Sequence, residues 1–313
     1  AVSKIDPAVS SASVAAQDPA YGFNWKNWIK YANSLRMRLA MRMSEVDKAK
    51  AQSEFEAAVA TGNYISTMAE NFRVAENPAN TWDDQTAVMS RSWDAQWISP
   101  AISNMYIGLG GVKSADQLGS DLQSSIKPAD YIGIRYPENF TTMTNDPSSG
   151  YWLDGLPNMM DPRAYKTYYI PGNVNDPSFA TIHKSRSTVG KLTFSDKTTV
   201  TLDAKYTWNA LIGGDWGGKD ATNGMIGTGK IPAIANQYRG PENIKTYRIF
   251  FADWESYFLI AEAGLKGWKV PMSDEAAYNK GIQESFAYNG VSQFYASYIA
   301  STEYNRVGTS VNY

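Results

Sequence analysis

The sequence contains no cysteine and a single histidine, His183. The lack of cysteine excludes disulfides, thiolate metal sites and cysteine nucleophiles, and one histidine cannot supply a site that needs two. No run of about 18 apolar residues occurs, so the sequence predicts no membrane-spanning helix. The H-E-x-x-H, EF-hand and G-x-S-x-G patterns are also missing. The sequence therefore predicts no metal site, no cofactor and no acyl-transfer apparatus.

The sequence also lacks an excess of positive charge, with 29 Lys and Arg against 31 Asp and Glu. Proteins that neutralise phosphates normally carry a basic excess, so a nucleic-acid partner is not predicted. A segment from Gly224 to Lys230 is close to a phosphate-binding loop. That motif needs a Ser or Thr next, and here Ile231 and Pro232 follow. We interpret this segment as a Gly-rich loop.

Aromatic residues are what the sequence has in abundance, with 10 Trp, 20 Tyr and 11 Phe. Such side chains fill cores, stack on sugar faces and form binding hot spots. Four of the tryptophans lie in or beside the predicted helices described below. The other six lie in the irregular middle of the chain: Trp82, Trp93, Trp97, Trp152, Trp208 and Trp216. Their loop-rich surroundings favour a ligand-facing role for some of them.

Helical spacing of apolar residues predicts helices towards both ends of the chain. The first follows the N-cap Asn24, and the second is capped by Ser44 and ends before Gly62. In the C-terminal part, helices are predicted over 251–266 and 274–289. The predicted packing face of the helix over 274–289 consists of small and apolar residues: Ala277, Gly281, Ile282, Ser285 and Phe286. Short connections predict antiparallel hairpins in a tetratricopeptide-like arrangement.

Between Arg73 and Lys245, turn-forming residues interrupt every apolar run. Short strands are expected, for instance within 192–202, together with short helices over 84–98 and 101–107. The predicted fold is therefore mainly α, a helical-hairpin scaffold with a long, loop-rich insert that contains short strands. We predict a single domain, 1–313. It consists of scaffold helices at 1–72 and 246–313 and a variable ligand-binding region at 73–245.

Four segments of the sequence carry a resemblance to a known family. They are residues 28–42 (WIKYANSLRMRLAMR), 160–163 (MDPR), 254–263 followed by Gly267-Trp268 (WESYFLIAEA…GW), and 277–286 (AYNKGIQESF). Their identity and order resemble the SusD-like (SusD/RagB) proteins. The resemblance implies a tetratricopeptide-like scaffold, an exported, surface-exposed outer-membrane lipoprotein of Bacteroidetes type, and delivery of oligosaccharides, or sometimes peptides, to a TonB-dependent SusC-like transporter. It brings no catalytic residues. The lipidated cysteine and the terminal helices of the family are expected to lie outside this sequence.

The leading hypothesis is a non-catalytic glycan-binding subunit. Within it, ligand contact is predicted for three tryptophans and three polar partners: Trp152, Trp208, Trp216, Asp154, Asp215 and Asn223. A second hypothesis is a secreted glycosidase or lyase that uses two of the acids near tryptophans. These acids are Asp83, Asp84, Asp94, Asp154, Asp161 and Asp215. A third is a transporter lid with little ligand affinity, in which exposed aromatic surface would form a protein interface.

Overall fold

The structure is a computed structural model that describes most of the chain. The described residues are 4–8, 12–75, 97–135, 147–148, 151–179, 190–193, 196–210, 230–235 and 247–313. Most of the helix expected over 84–98 lies outside them, as do Asp215, Trp216 and Asn223. The chain divides into two compact units. The scaffold unit comprises Ala1–Asn77 and Ile244–Tyr295 with Tyr313, and the insert unit comprises Pro78–Asn243 and Ala296–Asn312.

Helices dominate the described residues, which confirms the mainly α fold. The α-helices are α1 (Trp25–Arg42), α2 (Lys48–Val59), α3 (Pro100–Tyr106), α4 (Ser114–Gln117), α5 (Ser120–Gln123), α6 (Ala164–Thr167), α7 (Asp253–Leu265), α8 (Asp274–Tyr288) and α9 (Tyr295–Ile299). Turns of 3₁₀-helix cover Ala12–Gln17, Met68–Glu70, Leu109–Gly111 and Ser292–Phe294. The strands are β1 (Phe72–Ala75), β2 (Ile134–Arg135), β3 (Tyr151–Trp152), β4 (Gly190–Thr193), β5 (Thr199–Leu202) and β6 (Tyr247–Phe251).

The N-terminal hairpin of α1 and α2 forms where the helical spacing predicts it. The Asn24 side chain accepts a hydrogen bond from the backbone N–H of Asn27 and caps α1. The prediction of Ser44 as the cap of α2 is wrong. Ser44 lies in the turn after α1, where its backbone N–H bonds the Met41 carbonyl, and the Asp47 side chain caps α2 instead. The turn between the two helices extends to Asp47, so α2 begins at Lys48.

Helical spacing predicts an apolar stripe on α1 that includes Leu35 and Leu39, and this stripe differs from the face that the helix buries. Leu39 is 53% exposed, whereas the polar residues Asn33 and Ser34 are buried. Ser34 Oγ accepts a hydrogen bond from the Ile65 backbone N–H at 2.8 Å, and Asn33 Nδ2 donates to the Asn63 carbonyl at 2.9 Å. These bonds satisfy backbone groups of the segment after α2, so the polar side chains are buried at little cost.

The C-terminal hairpin of α7 and α8 follows the prediction closely. Ser273 caps α8 by accepting from the Ala276 backbone N–H. The buried residues of α8 are the five of the predicted packing face. Gly281 is required there, because a Cβ at this position would lie 2.8 Å from a ring carbon of Phe258 on α7. Small residues thus let the two helices approach closely.

Each strand pairs antiparallel with one other strand. β1 pairs with β6 in the scaffold unit, and β2 with β3 and β4 with β5 in the insert unit. The segment expected to be extended over 192–202 is the β4–β5 hairpin, with Gly190 opposite Leu202. Within the described parts of the chain, no helix combines the length and the apolar character needed to cross a membrane.

Each unit has its own hydrophobic core. In the scaffold unit, Met37 and Phe55 from the first hairpin and Ile260 and Ala277 from the second are fully buried in one cluster. The insert unit is built around a separate cluster. Its members include Trp152, Trp208, Tyr206, Met160, Leu156, Ile98 and Ile231. The insert unit extends over 78–243 and also includes residues 296–312, and the division of the chain into scaffold and ligand-binding regions stays a prediction.

A buried acid at the start of α7 makes the stability of the scaffold unit depend on pH. The side chain of Asp253 is fully buried, and its Oδ1 accepts from the backbone N–H of Trp254. Burial and the nearby Glu284 of α8 raise the pKa of the Asp253 carboxyl from 3.8 to about 6. Because the folded state then binds the proton more tightly than the unfolded chain, stability falls as pH rises from about 4 to about 6.

We therefore expect Asp253→Asn to raise the free energy of unfolding at pH 7 by on the order of 1–2 kcal/mol. It should also flatten the decline of stability between about pH 4 and 6. Urea denaturation at a series of pH values measures both effects. Asp274→Asn is the matched control, because a hydrogen bond from Tyr313 lowers the pKa of Asp274 and gives the opposite sign. An unchanged pH profile in Asp253→Asn would contradict the assignment.

Candidate functional site

The insert unit is organised around the buried carboxylate of Asp161. Arg163 binds it through two nitrogens, with Nε 2.9 Å from Oδ1 and Nη2 2.6 Å from Oδ2. The Tyr298 hydroxyl donates to the same Oδ2 at 2.6 Å. Burial alone would lower the pKa of Arg163, but its hydrogen bonds and charge interaction with Asp161 raise it above the ordinary value. The buried charge is therefore neutralised within hydrogen-bonding distance.

This network fastens the C-terminal segment 296–312 to the rest of the insert unit. Tyr298 packs against Gly110, where a Cβ would lie 2.0 Å from the tyrosine ring. Further along, Asn305 Nδ2 donates to the Met105 carbonyl at 3.0 Å. The Arg306 backbone N–H donates to the carbonyl of Ile107, the residue directly after α3. These bonds place Arg306 at the edge of the depression that is described below.

A side-chain amide joins the segment that follows β3 to the segment around Trp208. Asn209 Oδ1 accepts from the Leu153 backbone N–H at 2.8 Å, and Asn209 Nδ2 donates to the Leu153 carbonyl at 3.0 Å. The amide satisfies both backbone groups of Leu153, as a neighbouring strand would. Asn209 is itself 5% exposed, so this connection is protected from water.

Beside this connection lies a shallow depression in the surface of the insert unit. Its lining residues are Ser103, Ile132, Ser148, Tyr151, Leu153, Trp208, Asn209, Ala210 and Arg306. The space that the depression leaves for a small molecule is about that of one water molecule. Arg135, opposite Tyr151 in the β2–β3 pair, has its guanidinium carbon 6.0 Å from the centre of the tyrosine ring. The depression is the candidate ligand site.

The structure places three of the six predicted ligand residues in this region. Trp152 and Trp208 are core side chains, 0% and 2% exposed, and Trp208 also lines the depression. Trp152 and Asp154 alternate with Tyr151 and Leu153, and only the latter two line it. Such alternation is typical of extended backbone. Asp154 accepts hydrogen bonds from other side chains of the insert unit, Tyr131 and Lys127.

Asp215, Trp216 and Asn223 lie outside the described residues. Ligand contact by the six residues therefore stays a prediction. Trp152 and Trp208 are both buried and present no open ring face on which a sugar could stack. Only Trp208 borders the depression. The Trp208 ring meets Tyr165 edge to face, at 5.0 Å between ring centres.

Sequence reasoning missed Tyr151, Asn209 and Arg306 as residues of this site. Tyr151 directly precedes the predicted contact Trp152, and because neighbours in a strand face opposite sides, only one of these two rings could face the core. Asn209 directly follows a tryptophan, and an amide beside an aromatic residue suits a polar ligand site. No local pattern points to Arg306, which reaches the site through the long-range contacts of the C-terminal segment.

The acids proposed for catalysis have other partners where they are described. Asp154 is paired with Lys127, and Asp161 is fully buried against Arg163. Asp83, Asp84, Asp94 and Asp215 lie outside the described residues. No group of three or more His, Cys, Asp or Glu able to hold a metal ion occurs in the described part of the chain.

Comparison with known families identifies the kind of protein. A family model described as SusD-like, SusD and RagB outer membrane lipoprotein, matches residues 1–150 and 226–311. The chain belongs to the SusD-like family. Three of the four segments that carry the resemblance lie in the matched parts, and 160–163 lies between them. All six predicted ligand residues also lie in the unmatched stretch 151–225. No curated protein sequence matches this SusD-like chain.

Solved structures share the fold. A SusD homologue from Parabacteroides distasonis aligns with a TM-score of 0.66 and 21% identity, over 100% of this chain and 50% of that one. Homologues from Bacteroides uniformis and Bacteroides ovatus align with TM-scores of 0.52 and 0.51 and identities of 17% and 18%. These alignments cover 93% and 97% of this chain but 42% and 44% of the homologues. The chain thus spans about half the length of these structures or less.

The network around Asp161 should be sensitive to loss of its cation. Arg163→Met leaves a fully buried carboxylate without its main partner, and we expect a loss of about 3–5 kcal/mol in the free energy of unfolding. The double variant Asp161→Asn/Arg163→Met should recover part of this loss, because no charge stays buried. Chemical denaturation followed by tryptophan fluorescence provides the measurement.

Arg36→Met is the matched control for this experiment. Arg36 pairs with Glu54 at the surface, with side chains 41% and 39% exposed, so its loss should cost less than about 1 kcal/mol. Equal losses in Arg163→Met and Arg36→Met would contradict the importance assigned to the buried network.

Proposed function

We propose that this chain is part of a non-catalytic surface protein that binds oligosaccharides and delivers them to a TonB-dependent SusC-like transporter. The observation that carries the proposal is the match of the SusD-like family model to 1–150 and 226–311. Family membership supports an outer-membrane lipoprotein anchored by lipid and exposed at the cell surface. No cofactor is needed for such a role.

The stretch between the matched parts is the proposed ligand-binding region. It contains Trp152, Trp208 and Trp216 with the polar residues Asp154, Asp215 and Asn223. Departure from the common pattern of a family is expected where relatives bind different ligands on a shared scaffold. The depression beside Trp208 is lined partly by this stretch, which adds Tyr151 and Asn209 as candidate contacts, and partly by matched residues, which add Arg306.

The non-catalytic part of the proposal is supported by the condition of the described acids. Glycoside hydrolysis requires two carboxyl groups that can reach the scissile bond, one of them protonated. Asp154 is held by Lys127 and Tyr131, and Asp161 is inaccessible beneath Arg163. Turnover of polysaccharide, measured as new reducing ends, would favour the enzyme hypothesis instead.

Calorimetric titration against a panel of plant and host oligosaccharides tests glycan binding. We expect binding to at least one glycan and a loss of roughly 1–3 kcal/mol of binding free energy in Trp216→Ala, if its indole is a stacking platform. Trp152→Ala should instead lower the free energy of unfolding by about 3–5 kcal/mol, because its fully buried ring fills the core.

Thermal melting of each variant separates the two effects. Unchanged affinity in a folded Trp216→Ala variant would remove that residue from the site. Binding to peptides together with no response to any glycan would replace the ligand class. Copurification of the full-length protein with a large outer-membrane barrel tests the partner, and a barrel partner without any ligand affinity would point to the lid hypothesis.

A further inference from the structure

Stacking on a sugar needs an aromatic ring with an open face, and Tyr304 has one. Among the described residues of the insert unit, Tyr304 is the only aromatic residue that is largely exposed, at 65%. Trp152 and Trp208, which the sequence indicates as ligand contacts, are both buried. An exposed ring leaves its electron-rich face free for the C–H groups of a pyranose.

Two exposed aromatic rings of the scaffold unit differ from Tyr304, because each already packs against a neighbour. The Phe250 ring lies against Phe72, with 5.6 Å between ring centres. The guanidinium carbon of Arg73 lies 4.1 Å from the centre of the Tyr247 ring. Within the described part of the chain, no aromatic ring or cation packs against Tyr304 in this way. Its ring is therefore available to a ligand.

The backbone that carries Tyr304 is fixed by contacts with the segment around α3. Asn305 Nδ2 donates to the Met105 carbonyl at 3.0 Å, and Asn305 Oδ1 accepts from the backbone N–H of Thr309 at 2.8 Å. Gly108 lets the two segments approach, because a Cβ there would lie 2.6 Å from the Tyr304 carbonyl oxygen. A ring on a fixed backbone loses less conformational entropy on binding than a ring on a mobile loop.

The surface around Tyr304 is apolar. Val307 of the same segment is exposed, and so are Ile102 and Met105, which lie three residues apart on α3 and thus on one face of that helix. The Met105 carbonyl bonds Asn305, the residue next to Tyr304, so α3 lies beside the segment that carries the ring. We call Tyr304, Val307, Ile102 and Met105 the apolar surface.

The position of the apolar surface favours a glycan over a protein partner. Ser103 of α3 and Arg306 line the candidate ligand site, and each directly follows or precedes a residue of the apolar surface in the sequence. A sugar has an apolar C–H face and an edge of hydroxyl groups, so it suits a ring between apolar and polar surface. The apolar surface is also small beside the roughly 20–30 residues per partner of a stable protein interface.

We propose that Tyr304 is the platform on which a pyranose ring of the ligand stacks through its C–H face, with Ile102 and Met105 extending the apolar contact. This inference rests on the proposed glycan-binding function and adds the residue that holds a sugar ring. Tyr304 lies within the family-matched residues 226–311, whereas the ligand residues predicted from the sequence lie in 151–225. The platform is thus supplied from outside the proposed ligand-binding stretch.

Calorimetric titration of the intact protein with oligosaccharides of glucose, galactose, xylose, mannose and N-acetylglucosamine tests the inference. Tyr304→Leu keeps an apolar side chain without an aromatic ring and should lower the affinity for a bound glycan about tenfold. Tyr304→Phe keeps the ring, so its affinity should stay within about twofold of that of the unaltered protein. Tyr313→Leu is the matched control, because Tyr313 is an exposed tyrosine of the scaffold unit, and it should leave the affinity unchanged.

A fluorine probe provides a second measurement that does not require Tyr304→Leu to fold. In the protein with para-fluorophenylalanine in place of Tyr304, the ring is conserved. Its fluorine resonance should shift as the glycan is added, because the stacked sugar changes the surroundings of the ring. The same probe in place of Tyr313 should show no shift.

The outcomes separate this inference from the proposed function. If the protein binds a glycan but a folded Tyr304→Leu variant binds it with normal affinity, the inference is wrong and glycan binding stands. A fluorine resonance at Tyr304 that does not move at saturation leads to the same conclusion. Normal glycan affinity in Tyr304→Leu together with lost copurification of the outer-membrane barrel would assign the apolar surface to a protein interface instead. If no glycan binds, both the inference and the proposed function are overturned.

Discussion

The insert unit depends on one buried charge. Asp161 has no exposed surface, and a carboxylate in that position is tolerable only because Arg163 and Tyr298 occupy its lone pairs. Because Tyr298 lies far along the chain, its hydrogen bond to Asp161 links the local Asp-Pro-Arg segment to the C-terminal segment 296–312. Arg306 lies a few residues after Tyr298 in the same segment. The Tyr298 ring can pack in its position only because Gly110 has no side chain.

The helical scaffold could be predicted from the sequence because its information is local. Asn24 and Ser273 act as caps, and the small residues of α8 mark its packing face. Where the prediction failed, the deciding contacts came from elsewhere in the chain. Ser34 is buried because its hydroxyl accepts from the backbone N–H of Ile65, and the Asp47 side chain caps α2 in place of Ser44. Helical periodicity contains no information about either partner.

The candidate site was less predictable, for the same reason. Trp152 and Trp208 lie near the candidate site but fill the core beneath it, and burial of an aromatic ring depends on tertiary packing. Composition could not distinguish a ring that faces a ligand from one that supports the site. Asn209 and Arg306 enter through contacts that span 56 residues and about 200 residues of sequence respectively, as the bonds of Asn209 to Leu153 and of the neighbouring Asn305 to Met105 illustrate.

The amide of Asn209 has an evolutionary consequence. A single side chain joins the Trp208 segment to Leu153, through both backbone groups of that residue. Relatives that keep this amide can exchange side chains that line the depression, such as Ser103 and Tyr151, without losing the connection between the two segments. New ligands can thus be acquired on a constant framework, much as antibodies exchange loops.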